Sequence, residues 1–149
     1  MTEEYVIDAN VLFGAFISGK DIYRLLFSGH TVYLPDFALI EIEKYKERIL
    51  KKAKLPEPEF QEFVLGLFEE VTVVPGLVIS QSSLRQAYQW CQEIDEKDTL
   101  YVATAIELDA WLITSDQALY KGLKRQGFAK VVQLSDFLDT LPVPKVPDR

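Results

Sequence analysis

Short apolar runs recur along the chain, each followed by a longer amphipathic stretch. Tyr5-Val6-Ile7, Thr31-Val32-Tyr33-Leu34, Val71-Thr72-Val73-Val74, Trp111-Leu112-Ile113-Thr114 and Lys130-Val131-Val132-Gln133 read as five strands. These runs are continuously apolar and not alternating, as burial on both faces of a sheet requires. The stretches between them carry helical spacing. A helical stretch begins at about Val11, includes Leu12 and Phe16, and later takes in Leu25-Leu26-Phe27. Pro35-Asp36 opens a helix running to about Ala53, and Leu55-Pro56-Glu57-Pro58 breaks it. Further helices are expected over about Glu59 to Glu69, Ser82 to Gln92 and Lys97 to Leu108. Ser135-Asp136 caps a last helix ending near Leu141. Asp36 and Asp136 are read as N-caps because a carboxylate there accepts bonds from free backbone N–H groups. Strands separated by helical segments predict a parallel sheet covered on both faces, a single α/β/α sandwich over residues 1–141. The proline-rich tail, residues 142–149, cannot continue a helix and is expected to run extended.

Composition narrows the function. A chain of 149 residues, 48% hydrophobic and 26% charged, fits one ordinary globular domain. No run of about 18 apolar residues suits a membrane span, so no membrane partner is expected. The acidic start Met1-Thr2-Glu3-Glu4 is unlike a secretory signal. Cys91 is the only cysteine, which excludes an internal disulfide and fits the cytoplasm. The single histidine, His30, excludes paired-histidine chemistry and a histidine-rich zinc site. Beside Gly29, it reads as a solvated loop residue. A net charge of −7 argues against non-specific coating of nucleic acid. It leaves two readings, diffuse solubilising charge or carboxylates that converge where a cation neutralises them.

Four acids stand where a parallel sheet places its ligands, near the C-terminal ends of strands. Asp8 follows the first strand and Asp116 the fourth. Glu41 lies in the helix leaving the second strand, and Asp98 starts the helix entering the fourth. A structural acid at such positions is usually an N-cap. That reading suits Asp95, and it suits Asp8 less well, because Asn10 offers an alternative cap. Oxygen-only donors without histidine or cysteine suit hard Mg²⁺ or Mn²⁺. Such an ion lowers the pKa of a bound water and neutralises a phosphodiester. Asn10, Thr114 and Ser115 are expected to orient the carboxylates or metal-bound waters. Lys44, Arg48, Lys51 and Lys52 share an arc with Glu41, and Lys121, Lys124 and Arg125 follow Asp116. Both groups have two readings, solvated helix charges or contacts to a phosphate backbone.

The segment Tyr5-Val6-Ile7-Asp8-Ala9-Asn10-Val11-Leu12 resembles the opening motif of PIN-domain nucleases. Asp98-Thr99-Leu100-Tyr101-Val102-Ala103-Thr104-Ala105 and Leu112-Ile113-Thr114-Ser115-Asp116 resemble the family's third and fourth motifs, and Glu41 falls where its second acid sits. Asp95 departs from the pattern by adding a second acid three residues before Asp98, so the third motif has two candidates and Asp95 is either a cap or a supporting or ligating acid of the site. The resemblance implies a five-stranded parallel sheet in the order 3-2-1-4-5. It implies that Asp8, Glu41, Asp98 and Asp116 hold one or two Mg²⁺ or Mn²⁺ ions and cleave single-stranded RNA. It also implies kinship with the toxins of type II toxin–antitoxin pairs, hence an antitoxin protein partner and a homodimer.

The rivals each lack something. A phospho-accepting receiver domain needs an acid after the third strand, where Val74-Pro75-Gly76 stands. An aspartyl phosphatase needs an acid where Asn10 is. There is no phosphate-binding P-loop and no nucleophile elbow. A module that keeps the fold and binds RNA or protein without cleaving is the remaining alternative.

Overall fold

The computed structural model describes residues 3–141, so the tail expected to run extended lies outside the described residues. Five strands form one parallel sheet in the order β3-β2-β1-β4-β5. They are β1 (Glu4–Ile7), β2 (Thr31–Pro35), β3 (Val71–Val74), β4 (Trp111–Thr114) and β5 (Val131–Gln133). In register, Ile7 of β1 lies beside Ile113 of β4, and Val6 lies between Tyr33 and Leu112. Val6, Ile7, Leu112 and Ile113 have no solvent exposure. That is the burial the uninterrupted apolar runs demand of central parallel strands.

The crossovers carry α1 (Ala9–Ser18), α2 (Asp21–Gly29), α3 (Phe37–Lys44), α4 (Lys46–Lys52), α5 (Glu57–Glu70), α6 (Gln81–Cys91), α7 (Thr99–Leu108) and α8 (Gln117–Arg125), with α9 (Leu134–Asp139) after β5. Helix α1 packs against α3, α4 and α5, and α6 packs against α7 and α8. Right-handed crossovers put these two groups on opposite faces of the sheet, giving the three layers.

Local chemistry explains most breaks. Gly19 ends α1 in the left-handed region (φ 63°), and a Cβ there would strike the Leu55 side chain. Only glycine fits this turn without strain. Tyr45 (φ −105°, ψ 12°) splits the expected helix after Asp36 into α3 and α4. Neither glycine nor proline marks this break, so the sequence pattern reads through it. Helix α8 is a further element that the apolar pattern left unassigned. Its buried positions are only Leu119, Gly122 and Leu123.

Three expected roles are corrected. The Asp36 side chain does not cap α3; its Oδ2 accepts from Gly76 N at 3.1 Å, tying the helix start to the turn after β3. The last helix starts at Leu134 behind Gln133, which places Asp136 inside its first turn and leaves it no cap role. His30 is not a solvated loop residue. It is half-buried, with Nδ1 paired to Leu26 O at 3.0 Å and its ring edge-on to Tyr5 and Phe137. A glycine neighbour signals a turn, but the ring's apolar faces find aromatic partners across the fold.

Candidate active site

The chain runs outward from β1 to β2 and β3, then returns to the other side of β1 as β4. The order therefore reverses between β1 and β4, and a crevice forms outside the C-terminal ends of those strands. Asp8 leaves β1 there and Asp116 leaves β4.

Asp8 is buried, at 3% exposure. Its Oδ1 accepts from Val11 N at 3.0 Å, so it caps α1, the role that Asn10 was expected to contest. Its Oδ2 accepts from Thr114 Oγ1 at 3.1 Å. The same Thr114 oxygen accepts from Asp116 N at 3.0 Å, and Asp116 Oδ1 caps α8 through Leu119 N at 3.0 Å. Thr114 thus links the two acids. A carboxylate that caps a helix still keeps lone pairs for another partner.

Asp8, Glu41, Asp95 and Asp98 line one cleft of about 290 Å³. Glu41 arrives on α3 and is held by Tyr101, whose hydroxyl donates to its Oε1 at 3.4 Å. Asp98 closes the 3-10 turn Glu96–Asp98 that leads into α7. Asp95 Oδ1 accepts from Lys97 N at 3.0 Å and caps that turn. Asp116 is not on the cleft lining, but its charge reaches both Asp8 and Asp98.

The electrostatics follow from this crowding. Burial pushes the Asp98 carboxyl up to about 7, and the charges of Asp8, Asp95, Asp116 and Glu41 add to the rise. Burial likewise lifts Asp8 to about 6, against the bonds from Val11 and Thr114 that favour its ionised form. The Tyr101 hydroxyl is raised by burial, then by Glu41 and Asp8. The Cys91 thiol is pushed up to about 12, by burial first and then by Asp98. Asp98 Oδ2 is buried with no hydrogen-bond partner among the described residues. A buried acceptor without a donor is costly unless something else supplies positive charge.

The donor set, carboxylate oxygens with one orphaned atom among them, suits a hard divalent cation. Among the described residues, however, no three His, Cys, Asp or Glu side chains form a ready-made metal cage. A small hard cation that keeps several waters can be held partly through them, which needs no such closure.

The other anticipated residues separate. Arg48 lines the cleft. Lys51 and Lys52 are exposed on α4 and do not line it, and Lys44 borders a separate surface hollow with Leu39, Ile40 and Glu43. Lys124 is engaged in the fold, its Nζ donating to Ala129 O at 2.9 Å, while Lys121 and Arg125 are exposed elsewhere on α8. Asn10 lines the cleft and Ser115 is exposed; neither side chain hydrogen-bonds a carboxylate among the described residues. Sequence reasoning missed Tyr101, Lys97, Phe13 and Tyr45 as cleft residues. Tyr101 had a readable signal, since it lies three residues after Asp98 and so on the same helix face.

Residues 6–135 match the sequence profile of the family described as PIN domain. No curated protein sequence matches this chain. The fold is similar to VapBC2 from Rickettsia felis, solved bound to a DNA fragment from their promoter. That match has 18% identity and a TM-score of 0.57, covering 87% of this chain and 98% of the other. A toxin–antitoxin complex from Klebsiella pneumoniae gives 19% identity and a TM-score of 0.55, over 86% of this chain and 95% of that one. PAE2754 from Pyrobaculum aerophilum gives 12% and 0.62, over 92% and 88%. At such identities the likeness shows the shared fold.

Proposed function

From the premise that this chain belongs to the PIN-domain family, we propose that it is a divalent-metal-dependent endoribonuclease acting on single-stranded RNA. The observation that carries this reading is the convergence of Asp8, Glu41 and Asp98 on one cleft beside Asp116, with Asp98 Oδ2 left unpartnered. These four acids would hold one or two Mg²⁺ or Mn²⁺ ions. Held there, such an ion would supply an acidified water and neutralise charge on the scissile phosphodiester. The chain's own residues set the geometry. Thr114 fixes Asp8 against Asp116, and Tyr101 steadies Glu41. Arg48 contributes positive charge at the cleft for the substrate backbone.

Two of the structural neighbours are a VapBC assembly and a toxin–antitoxin complex. They support a place for this chain as the toxin of such a pair, with an antitoxin protein as its partner; the same reading makes it a homodimer of the cytoplasm. No helix among the described residues is long and apolar enough to cross a membrane.

The test is cleavage of a short single-stranded RNA by purified protein, with Mn²⁺ or Mg²⁺ and with excess chelator. Cleavage that needs the added ion is expected. Cleavage surviving full chelation overturns the metal mechanism. Tight RNA binding without any cleavage favours the alternative, a PIN-fold binding module.

A further inference from the structure

The cleft has a second kind of wall. Beside the carboxylates it is lined by Phe13 and Ile17 of α1, by Tyr45 at the joint between α3 and α4, and by Ile49 of α4. The Phe13 and Tyr45 rings stand 5.6 Å apart, edge to face at 68°. The Lys44 ammonium lies 5.4 Å from the Tyr45 ring centre. Both contacts restrict the ring's motion. The backbone Tyr45 N donates to Glu41 O at 3.1 Å, so Tyr45 leaves the chain one helical turn after a carboxylate-bearing residue of the site. Both rings are only partly buried and face a cavity, where plain core packing would bury them.

Two cations complete the lining, Arg48 from α4 and Lys97 from the turn before α7. In a chain of net charge −7 this pairing of flat apolar rings with cations, next to a cation-seeking carboxylate group, is chemically selective. Its complement has a planar apolar face and a flanking negative charge. A cavity of about 290 Å³ is at the small end for ligand pockets, which run from about 300 to 1,000 Å³. It suits one nucleotide. A base inside a duplex has both faces covered and cannot use such a wall, whereas an unpaired base can.

We propose that Phe13 and Tyr45 form a stacking wall for one unpaired base of the substrate, while Arg48 and Lys97 take neighbouring phosphates. This rests on the nuclease reading and adds the feature that makes the site select single strands. Every base has a π-face, so the wall chooses unpaired over paired nucleotides, not one base over another.

The test measures binding, not turnover, in an Asp8→Asn background, using a short single-stranded RNA and copies carrying one abasic position each. One abasic position should weaken binding about tenfold, within the range for stacking on an aromatic side chain. Tyr45→Leu should weaken binding of intact RNA by about the same factor and add nothing against that abasic copy. Tyr45→Phe should restore the stacking. Phe13→Leu gives the same readout at the other ring if Tyr45→Leu does not fold. Parental affinity in the leucine variants, or an equal loss against intact and abasic RNA, overturns the proposal. If wild-type protein still cleaves RNA with metal in that case, the wall alone fails. If it neither binds nor cleaves RNA, the nuclease reading falls with it.

Discussion

The two ends of β1 solve opposite problems. At its start Tyr5 packs on Phe137 at 4.8 Å, His30 stands edge-on to both rings, and the His30 Nδ1 has its partner in Leu26 O. Tyr33 Oη, on the neighbouring strand, donates to Glu4 at 3.1 Å. Apolar faces are covered there and polar atoms are paired. At the other end Asp8 opens onto a cleft where carboxylates repel one another and Asp98 Oδ2 has no donor. Only two residues, Val6 and Ile7, separate Tyr5 from Asp8. The first end contributes stability; the second gives some up by keeping anionic groups together. Natural structures break local rules of this kind mainly at functional sites.

The largest contrast should come from Asp8→Asn. Turnover on single-stranded RNA should fall on the order of a thousandfold, because a charge that would hold the proposed ion is gone. The thermal midpoint should stay near that of the parent. Asparagine caps a helix about as well as aspartate: its Oδ1 can still accept from Val11 N, and its Nδ2, in place of Oδ2, can donate to the Thr114 hydroxyl oxygen. Steady-state cleavage and a melting curve on the same preparation check both halves. Full activity, or a collapsed fold, would show that Asp8 belongs with the structural end after all.

Phe137→Ala probes the other end and should behave inversely. Removing a ring that is 7% exposed and packed on Tyr5 and His30 should cost about 3–5 kcal/mol of stability. The turnover of the molecules that remain folded should be unchanged. Denaturant unfolding combined with active-site-normalised cleavage measures this. A specific loss of turnover would mean that the two ends are coupled through β1, and the division drawn between them would fail.

This contrast also explains what the sequence made legible. Unbroken apolar runs reveal central strands because burial on both faces leaves no position for a polar residue, and Val6-Ile7 and Leu112-Ile113 show that directly. Asp8 and Asp116 could be placed because each follows such a run at a strand's C-terminal end. The partners of side chains were less readable. Asp36 pairs with Gly76, forty residues away, and His30 with Phe137, and no local pattern carries either contact. The bend at Tyr45 lacks the glycine or proline that would announce it, so nothing local tells that its ring lines the cleft. The basic residues on α4 and α8 share one chemistry, yet only Arg48 reaches the lining, because helix orientation decides this and charge does not.

The smallest effect, and the one that tests the burial and crowding of these acids without a substrate, is the pH dependence of stability in metal-free protein. The Asp98 carboxyl is raised from 3.8 to about 7 in the fold, and Asp8 from 3.8 to about 6. Between those limits the folded chain binds more protons than the unfolded one, so stability must fall as pH rises. The contribution is fully present below about 4, declines through the window up to about 7, and is flat above it. Glu107, lowered by its bonds to Ser80 and Ser83, has the opposite sign and acts only below its ordinary value of 4.5, outside that window. Melting in chelator from pH 5 to 8 should therefore show a falling midpoint. Asp98→Asn should flatten the curve, since it removes the group with the largest rise. Saturating Mg²⁺ or Mn²⁺ should flatten it as well, because a bound cation favours the ionised carboxylates. A midpoint that climbs from pH 5 to 7 in chelator would mean that the acids are already compensated within the chain. The end of β1 at Asp8 would then be as well satisfied as the end at Tyr5.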